Sequence, residues 1–251
     1  MNIGIIQARM GSSRLPGKMM MPLDGVPTIT HMVRRVKEAS SLNTVVVATS
    51  DQTQDDIIAL YAQRAGAAVY RGAEDDVLGR MFEAASQHDA HNVVRLTGDC
   101  PLLSPDCIDA VVSTLTQTDA DYASSVLERT FPRGFGAEAF TFSSFKHVEE
   151  HAQEPYEREH VTPYYRDGTG DFDTVGVTSD TVFDSFKYRN RTDLRLTLDE
   201  APDYELLNTV YEGVQFDDVL PARAAIDYID EHELVDMNAN VEQITLKDLT
   251  E

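Results

Sequence analysis

The sequence has no run of about 18 apolar residues, the length that a helix needs to cross a membrane. It begins with a strand-like segment instead of the charged and apolar parts of a signal peptide. We therefore expect a cytoplasmic protein without a membrane partner. Internal repeats and low-complexity linkers are also absent, and 251 residues with 42% hydrophobic content can bury one substantial core. The expectation is a single domain over residues 1–251.

Cysteine is scarce, with only Cys100 and Cys107 in the chain. Two cysteines cannot form the framework of several disulfides that small secreted domains use. Their spacing does not match a metal site that includes a pair of histidines. We expect two reduced thiols that are mostly buried.

Basic residues are few, because 21 Lys and Arg, only five of them Lys, stand against 43 Asp and Glu. A protein that binds nucleic acid or an anionic membrane needs a basic face, so the net charge of −22 argues against both partners. The acids are dispersed among periodic apolar segments, which indicates a folded protein with an acidic solvated surface. Such a composition resembles that of halophilic cytoplasmic proteins.

The chain does contain an alternation of apolar strands and amphipathic helices. Strands are expected at residues 2–8, 44–49, 67–70, 92–96, 121–126, 139–142, 173–178 and 195–198. Helices are expected at residues 27–40, 54–65, 76–87, 106–115, 204–211 and 221–233, while the periodicity is broken between 143 and 166. This alternation is typical of a doubly wound, mostly parallel sheet with helices on both faces, and this α/β class is our fold prediction.

The most informative stretch is the loop after the first strand, which contains two Gly, one Pro and three cations. Gly11 and Gly17 allow sharp turns that present backbone N–H groups to an anion. Arg9, Arg14 and Lys18 add positive charge in a strongly negative chain. A polyphosphate is the natural ligand of such a loop, although a simple turn with solvated cations has the same composition.

Two known phosphate-binding motifs do not explain this loop. A P-loop has four residues between its glycines and a Ser or Thr after its Lys. Here five residues separate Gly11 from Gly17, and Met19 follows Lys18. The GxGxxG fingerprint of dinucleotide-binding domains is absent as well. A polyphosphate bound by this loop would therefore need a different arrangement, and the simple turn with solvated cations stays open.

Three further candidates lie where expected strands end, the edge at which ligands collect in open α/β sheets. Arg71 follows one such strand, and we expect it to contact substrate. Asp99 lies in a stiff turn between Gly98 and Pro101 and is a candidate metal ligand. A turn-forming Asp bonded to its own backbone is the structural alternative. Asp199, after a later strand, is the second carboxylate that could share a cation with Asp99.

The segment at residues 157–166 places charges beside aromatics, which is unusual for a plain surface. Arg158 and Arg166 bracket His160, and arginines in a binding site recognise a carboxylate or a phosphate. Alternatively, both arginines pair with neighbouring acids, and His160 is a hydrogen-bonded structural histidine. For Arg158 we favour a contact with substrate.

Four stretches together resemble the sugar-activating cytidylyltransferases. They are Ala8–Lys18 (ARMGSSRLPGK), Arg95–Pro101 (RLTGDCP), Arg158–Pro163 (REHVTP) and Arg195–Asp199 (RLTLD). This family includes the acylneuraminate and 3-deoxy-manno-octulosonate enzymes, and the similarity is greatest to its spore coat polysaccharide biosynthesis protein F branch. The resemblance covers roughly residues 1–211, and its first motif is the most specific.

The resemblance implies a nucleotide-diphospho-sugar transferase fold, CTP as donor, Mg²⁺ as cofactor and an acidic sugar such as a nonulosonic acid as acceptor. It implies that the triphosphate is bound by Arg9, Arg14 and Lys18, with further nucleotide contacts from Ala8, Gly11, Ser12, Arg71 and Thr97. The implied metal ligands are Asp99 and Asp199, and the implied acceptor contacts are Glu138, Arg158, Glu159 and His160. The expected catalytic residues are Arg9, Lys18, Asp99 and His160.

The resemblance also suggests a homodimer, and we expect an acceptor-binding and dimerisation insertion around residues 128–190. The chain departs from the family at Gly136, where a polar residue is common. The acceptor pocket of better-known members is therefore not transferable to this chain.

Two other functions share many of these features. A related nucleotidyltransferase would use GTP or UTP, or a sugar phosphate as acceptor. A nucleotide-binding regulatory or assembly protein would keep the loop without turnover, but a pure sensor has no need of both Asp99 and Asp199. Our prediction is a Mg²⁺-dependent enzyme that transfers CMP from CTP to an acidic sugar, with release of pyrophosphate, for surface polysaccharide or glycan synthesis.

Overall fold

The central sheet carries the functional loops, and a computed structural model describes it through residues 1–167 and 170–243. The strands, in chain order, are β1 (Asn2–Gln7), β2 (Pro22–Leu23), β3 (Val26–Pro27), β4 (Thr44–Ser50), β5 (Ala68–Gly72), β6 (Asn92–Thr97), β7 (Tyr122–Ser124), β8 (Glu138–Thr141) and β9 (Thr174–Gly176). Within the described residues, seven of them form one sheet in the order β5-β4-β1-β6-β8-β7-β9, and β2 pairs with β3.

Helices connect these strands. They are α1 (Thr28–Lys37), α2 (Asp56–Arg64), α3 (Val77–Gln87), α4 (Pro105–Thr118), α5 (Phe142–His151), α6 (Pro155–His160), α7 (Pro163–Arg166), α8 (Ser179–Val182), α9 (Ala201–Gly213) and α10 (Ala222–Glu231). In the described part of the chain, none of them combines the length and the apolar character that a membrane crossing requires.

Parallel pairing dominates the sheet. β1 lies between β4 and β6 and runs parallel to both, and β5 continues the same direction beyond β4. β8 runs antiparallel to β6 and β7, and β9 runs parallel to β7. The prediction of a mostly parallel sheet is confirmed. Because β1, β4 and β6 are parallel neighbours, the loops that follow them meet at one edge.

Alternate side chains of the strands enter two separate cores. Ile3 and Ile5 of β1 belong to the same buried cluster as Met81 of α3, whereas Ile6 belongs to the cluster that contains Met32 of α1. Each fully buried apolar side chain of this size contributes about 1.5–3 kcal/mol. The sheet therefore has packed helices on both faces, as the sequence predicts. Both cysteines are free and buried, also as expected.

Two local expectations differ from the structure. The expected strand at residues 195–198 is not part of the sheet. Instead, Arg195 forms an isolated bridge with Arg133, and Leu198 donates its N–H to the carbonyl of Asp99 at 2.8 Å. The segment is extended but pairs with loops. The segment at residues 143–166, whose sequence lacks clear periodicity, lies mostly in the short helices α5, α6 and α7. Proline is the first residue of α6, at Pro155, and of α7, at Pro163.

The range 128–190, expected to be an insertion for acceptor binding and dimerisation, adds β8 and β9 to the main sheet in its described part. It also supplies the helices α5 to α8. Its role in acceptor binding and dimerisation stays a prediction.

Candidate active site

The loop after β1 folds back on itself before the chain enters a short 3₁₀ turn at Lys18–Met20. The N–H of Gly17 donates to the carbonyl of Met10 at 3.1 Å, which closes the loop. Gly17 has a φ of 75°, in the left-handed region that a side chain disfavours. The glycine thus lets the chain reverse direction and brings Lys18 back towards the end of β1.

A buried carboxylate fixes the start of this loop. Asp55, which is fully buried after β4, accepts the N–H of Met10 at 2.7 Å and the N–H of Ser50 at 3.3 Å. Since an unpaired buried carboxylate is costly, these bonds hold the loop against the end of β4. The loop therefore has a defined shape without ligand.

Two carboxylates converge on one ammonium group at the centre of the site. Lys18 Nζ lies 2.5 Å from Asp99 Oδ2 and 3.0 Å from Asp199 Oδ1. Burial acts to lower the pKa of Lys18, but the two carboxylates outweigh it and hold the pKa above its ordinary value. Burial likewise acts to raise the pKa of Asp99, and Lys18 holds it below its usual range instead. Lys18 and Asp99 are therefore both charged at neutral pH.

Arginine and backbone contacts tie Asp199 to the loop. Arg14 lies 3.2 Å from Asp199 Oδ1 and also 3.2 Å from Glu200 Oε1. The bond from the N–H of Leu198 to the carbonyl of Asp99 holds the two carboxylate-bearing segments side by side. Asp199 therefore reaches the site from outside the sheet, and not from the end of a strand as expected.

A cavity of about 300 Å³ opens over this centre, and we call it the loop cavity. This volume is within the range of small-molecule sites. Its polar walls come from the loop, from the turn after β6, from α3 and from α6. The lining residues include Ala8, Arg9, Gly11, Ser12, Arg14, Lys18, Arg80, Thr97, Asp99, Glu159, His160 and Asp199.

Arg80 of α3 is an unexpected cation in the loop cavity. Its side chain is almost fully buried, and it donates to the carbonyls of Ala73 and Glu74. Its Nε is buried and has no hydrogen-bond partner among the described residues. Burial, together with nearby Arg9, lowers the pKa of Arg80. An anion bound in the cavity would offset the cost of burying the charge of Arg80 and its repulsion from Arg9.

A second cavity of about 370 Å³ adjoins the first, and we call it the arginine cavity. Thr97 and Asp199 line both cavities and form the wall between them. The other lining residues include Arg95, Ser125, Val126, Arg129, Arg133, Gly136, Glu138, Arg166 and Gln243. Arg133 forms no ion pair or side-chain hydrogen bond with the described residues. Burial, with Arg129 and Arg195 nearby, lowers its pKa to about 10.

The backbone next to Arg133 is closely packed. Gly134 has a φ of 96°, and a Cβ there would lie 2.4 Å from the carbonyl oxygen of Leu196. Only glycine fits this approach. Gly136 lines the same cavity, and a Cβ there would lie 3.1 Å from a methyl group of Val126. The missing side chain at Gly136 leaves room in the arginine cavity.

Glu138 forms the floor of the arginine cavity. It is buried, pairs with Arg95, and accepts the Thr162 hydroxyl at 2.8 Å. Burial acts to raise the pKa of Glu138, but Arg95 and Arg166 outweigh it and the pKa lies below its usual range. Arg166 also lines this cavity, and its buried Nε has no partner among the described residues. The arginines that line the arginine cavity therefore outnumber its acidic residues, even though Glu138 is ionised.

Comparison with known proteins is in agreement with this geometry. Residues 3–226 match the model of the family described as Cytidylyltransferase. The chain belongs to the cytidylyltransferase family.

Several full-length relatives support this assignment. An uncharacterized protein of Methanocaldococcus jannaschii is 32% identical over 250 residues, which cover 99% of each chain. The spore coat polysaccharide biosynthesis protein SpsF of Bacillus subtilis is 30% identical over 213 residues, covering 83% of this chain and 85% of that one. A cytidylyltransferase structure from Leptospira borgpetersenii superposes with a TM-score of 0.86 at 30% identity, covering 96% and 99% of the two chains.

In this cytidylyltransferase, most of the predicted site residues lie together. The predicted phosphate-binding and metal-binding residues line the loop cavity, except Arg71. Glu138, predicted to contact the acceptor, lines the arginine cavity. Glu159 and His160, predicted to contact the acceptor as well, line the loop cavity instead, where Arg9 pairs with Glu159 at 3.1 Å.

Two predicted residues lie outside both cavities of the cytidylyltransferase. Arg158 forms a two-pronged ion pair with Asp76, with nitrogen–oxygen distances of 2.9 and 2.6 Å, and also contacts Glu149. The neighbouring acids thus hold the guanidinium outside both cavities, and its role in acceptor binding stays a prediction. Arg71 donates to the carbonyl of Ser50 and to Asp56, and its contact with the nucleotide stays a prediction as well.

Several residues of the site carried no clear sequence signal. Arg80 reaches the loop cavity from α3, Asp55 holds the loop from the turn before α2, and the arginines of the second cavity come from three separate parts of the chain. Arg133 did follow a proline and precede a glycine, a pattern that marks a tight turn. Arg95 lies within a matched motif, so its position next to the site could have been inferred.

Proposed function

We propose that this cytidylyltransferase transfers CMP from CTP to an acidic sugar in a Mg²⁺-dependent reaction, giving a CMP-sugar and pyrophosphate. The acceptor class is that of nonulosonic acids, and the product would serve surface polysaccharide or glycan synthesis. The observation that carries the proposal is the pair of adjoining cavities, one lined by the cations of the loop and the other by arginines, with Thr97 and Asp199 between them.

The loop cavity suits the triphosphate of CTP. Arg9, Arg14 and Lys18 provide cations, and the glycines of the loop allow close approach of backbone N–H groups. As pyrophosphate leaves, negative charge grows on the bridging oxygen, and preformed cations stabilise that charge without reorganisation. Positioning of the two substrates supplies much of the remaining acceleration.

The residues at the centre fit a magnesium ion. Asp99 and Asp199 already share one cationic partner in Lys18, so their oxygens converge on one point. The described residues contain no group of three or more acidic, His or Cys side chains that could hold a metal. Mg²⁺ is commonly held by one or two carboxylates together with substrate phosphates, which this pair matches. When bound, the ion would neutralise charge on the transferred phosphate.

The arginine cavity suits an acceptor with a carboxylate. Arg133 is a partly buried cation without a partner among the described residues, and Arg166 has a free buried Nε. Guanidinium groups recognise carboxylates through two parallel hydrogen bonds. An acid bound there would place its hydroxyl towards the wall at Thr97 and Asp199, and hence towards the nucleotide.

His160 has the properties of a general base for that hydroxyl. Burial lowers its pKa below the ordinary value, so the imidazole is neutral at pH 7 and able to accept a proton. It lines the loop cavity, in which the proposal places the triphosphate. A general base is required because the attacking group is a hydroxyl.

Pyrophosphate release tests the proposal directly. The purified protein is incubated with CTP, GTP, UTP or ATP, with a panel of nonulosonic and octulosonic acids, and with or without EDTA. Matched neutral sugars of the same ring size serve as controls. We expect release with CTP and an acidic sugar, and its loss on chelation of Mg²⁺.

Three outcomes would contradict parts of this proposal. Faster release from GTP or UTP would assign a different donor. Reaction of neutral sugars at the same rate would remove the role of the arginine cavity. Absence of release with every combination would favour a nucleotide-binding protein without turnover.

A further inference from the structure

A buried network lies directly behind Asp199, on the side away from Lys18. Arg195 donates from one terminal nitrogen to Asp199 Oδ2 at 2.7 Å and from Nε to Asp203 Oδ1 at 2.9 Å. Asp203 is fully buried. One guanidinium therefore links the carboxylate of the active site to an acid in the protein interior.

Asp203 also fixes the backbone that carries Asp199. Its Oδ2 accepts the N–H groups of Asp199 and Glu200, each at 3.0 Å. From its position after Pro202, Asp203 is expected to cap the helix that follows. In the structure it is the third residue of α9 and forms a capping box with Glu200. The same carboxylate thus sets both the backbone and the side chain of Asp199.

The network is completed by residues that follow α10. Asn238, which is buried, donates to Asp203 Oδ1 at 2.8 Å and to the carbonyl of Arg195 at 2.9 Å. Gln243 accepts from the remaining terminal nitrogen of Arg195 at 2.6 Å and lines the arginine cavity. Both residues lie beyond the stretch that matches the family model, which ends at residue 226.

We propose that Arg195, Asp203 and Asn238 are positioning residues that hold the Asp199 carboxylate in the orientation that binds the divalent cation. This inference rests on the proposed function, since it takes Asp199 as a ligand of that cation. Asp199 does not follow a strand of the sheet, so ordinary sheet pairing does not fix it. The network supplies the rigidity that a strand end gives to Asp99.

The geometry favours positioning over simple stabilisation. If Arg195 served only to neutralise Asp203, it would not need to contact a second acid. Its three nitrogens instead donate hydrogen bonds to Asp199, Asp203 and Gln243. Hydrogen-bonded partners of this kind orient metal ligands, and their loss typically weakens metal binding by about 10–100-fold.

The test measures Mn²⁺ binding to the whole protein, without nucleotide or acceptor, from the electron paramagnetic resonance signal of the free ion. The variants are Asn238→Ala and Arg195→Lys, with Asp199→Asn as the reference for loss of the ligand itself. Asp230→Asn is the matched control, because Asp230 forms a two-pronged pair with Arg191 outside both cavities, at 3.0 and 2.8 Å. Lys18 is unchanged in all of these variants, so Mn²⁺ competes with the same ammonium group in each of them.

We expect Asn238→Ala and Arg195→Lys to weaken Mn²⁺ binding about tenfold, and Asp230→Asn to remain within about twofold of the wild type. If the melting temperature falls in Asn238→Ala and Arg195→Lys but Mn²⁺ affinity stays within about twofold, the network is only structural and the inference fails. If Asp199→Asn itself leaves Mn²⁺ affinity unchanged, the metal assignment in the proposed function fails, and the inference with it. Two variants are used so that one that does not fold leaves the test intact.

Discussion

The two cavities are similar in size but differ in how the chain builds them. The loop cavity takes Arg9, Arg14 and Lys18 from one continuous stretch after β1, and Arg80 is its one cation from elsewhere, on α3, among the described residues. The arginine cavity takes its cations from β6, from the loop before β8, and from α7. A ligand site built from one loop leaves a motif in the sequence. A site assembled from distant segments leaves only isolated arginines.

The electrostatic balance of the two cavities also differs. In the loop cavity the cations already have partners, since Lys18 lies between Asp99 and Asp199, and Arg14 pairs with Asp199 and Glu200. In the arginine cavity Arg133 has none among the described residues. The first site therefore exchanges existing partners when a ligand binds, whereas in the second a ligand would meet an arginine that has no partner among the described residues.

The largest expected effect is at the shared centre. Asp99→Asn should leave the fold intact and lower turnover about a thousandfold, or about 4 kcal/mol, because an amide does not provide the anionic ligand that Mg²⁺ prefers. Circular dichroism checks the fold, and pyrophosphate release in saturating Mg²⁺ measures turnover. More than about a tenth of wild-type activity in the folded variant would refute the metal assignment.

The next effect tests whether catalysis belongs to the loop cavity. His160→Gln should lower kcat about a hundredfold, the scale of a lost general base. Burial lowers the pKa of His160 below 6.5, so the wild-type rate should fall only as the pH drops through that lower value and the imidazole becomes protonated. The pH profile of kcat/KM measures this limb. If kcat/KM of His160→Gln falls at low pH in the same way as that of the wild type, a group other than His160 accepts the proton.

A smaller effect separates the two cavities. Arg133→Gln should raise the KM for the acidic acceptor about tenfold to a hundredfold, because a charge-assisted bond of about 1.5–3 kcal/mol is lost, and leave the KM for CTP nearly unchanged. Arg158→Gln is the matched control, since Arg158 pairs with Asp76 outside both cavities. If Arg133→Gln raises the KM for CTP alone, the assignment of CTP to the loop cavity and of the acceptor to the arginine cavity is incorrect.

The smallest effect concerns the acidic surface outside both cavities. At a net charge of −22, self-repulsion should destabilise the native state at low salt, and a Debye length of about 3 Å at 1 M should relieve it. The melting temperature is therefore expected to rise by a few degrees between about 0.1 and 2 M KCl. A flat or falling melting curve would contradict the comparison with halophilic proteins and leave the enzyme assignment untouched.

The sequence predicts the sheet well because periodic apolar segments determine which residues are buried. It predicts the loop cavity for a related reason, since one motif supplies its cations and parallel strands bring Asp99 to the same edge. It does not reveal the partner of Arg158, because a local pattern of charges does not tell which acid will pair with an arginine. Asp76, the actual partner, is 82 positions away.

The other differences between the sequence-based expectations and the structure also arise from contacts between segments that are distant in the sequence. The extended segment before Asp199 has the apolar pattern of a strand, yet it pairs with the turn at Asp99 and the loop at Arg133. Arg133 itself enters the site because Gly134 docks against Leu196. Contacts between two irregular segments have no periodicity, so sequence patterns do not reveal them.

The wall that both cavities share also has a consequence for how products compete with substrates. In the proposed reaction, a CMP-sugar spans Thr97 and Asp199, with its phosphate on one side and its sugar on the other. Pyrophosphate, in contrast, occupies only the loop cavity. In product-inhibition kinetics, the CMP-sugar should therefore compete with both CTP and the acceptor, whereas pyrophosphate should compete with CTP alone.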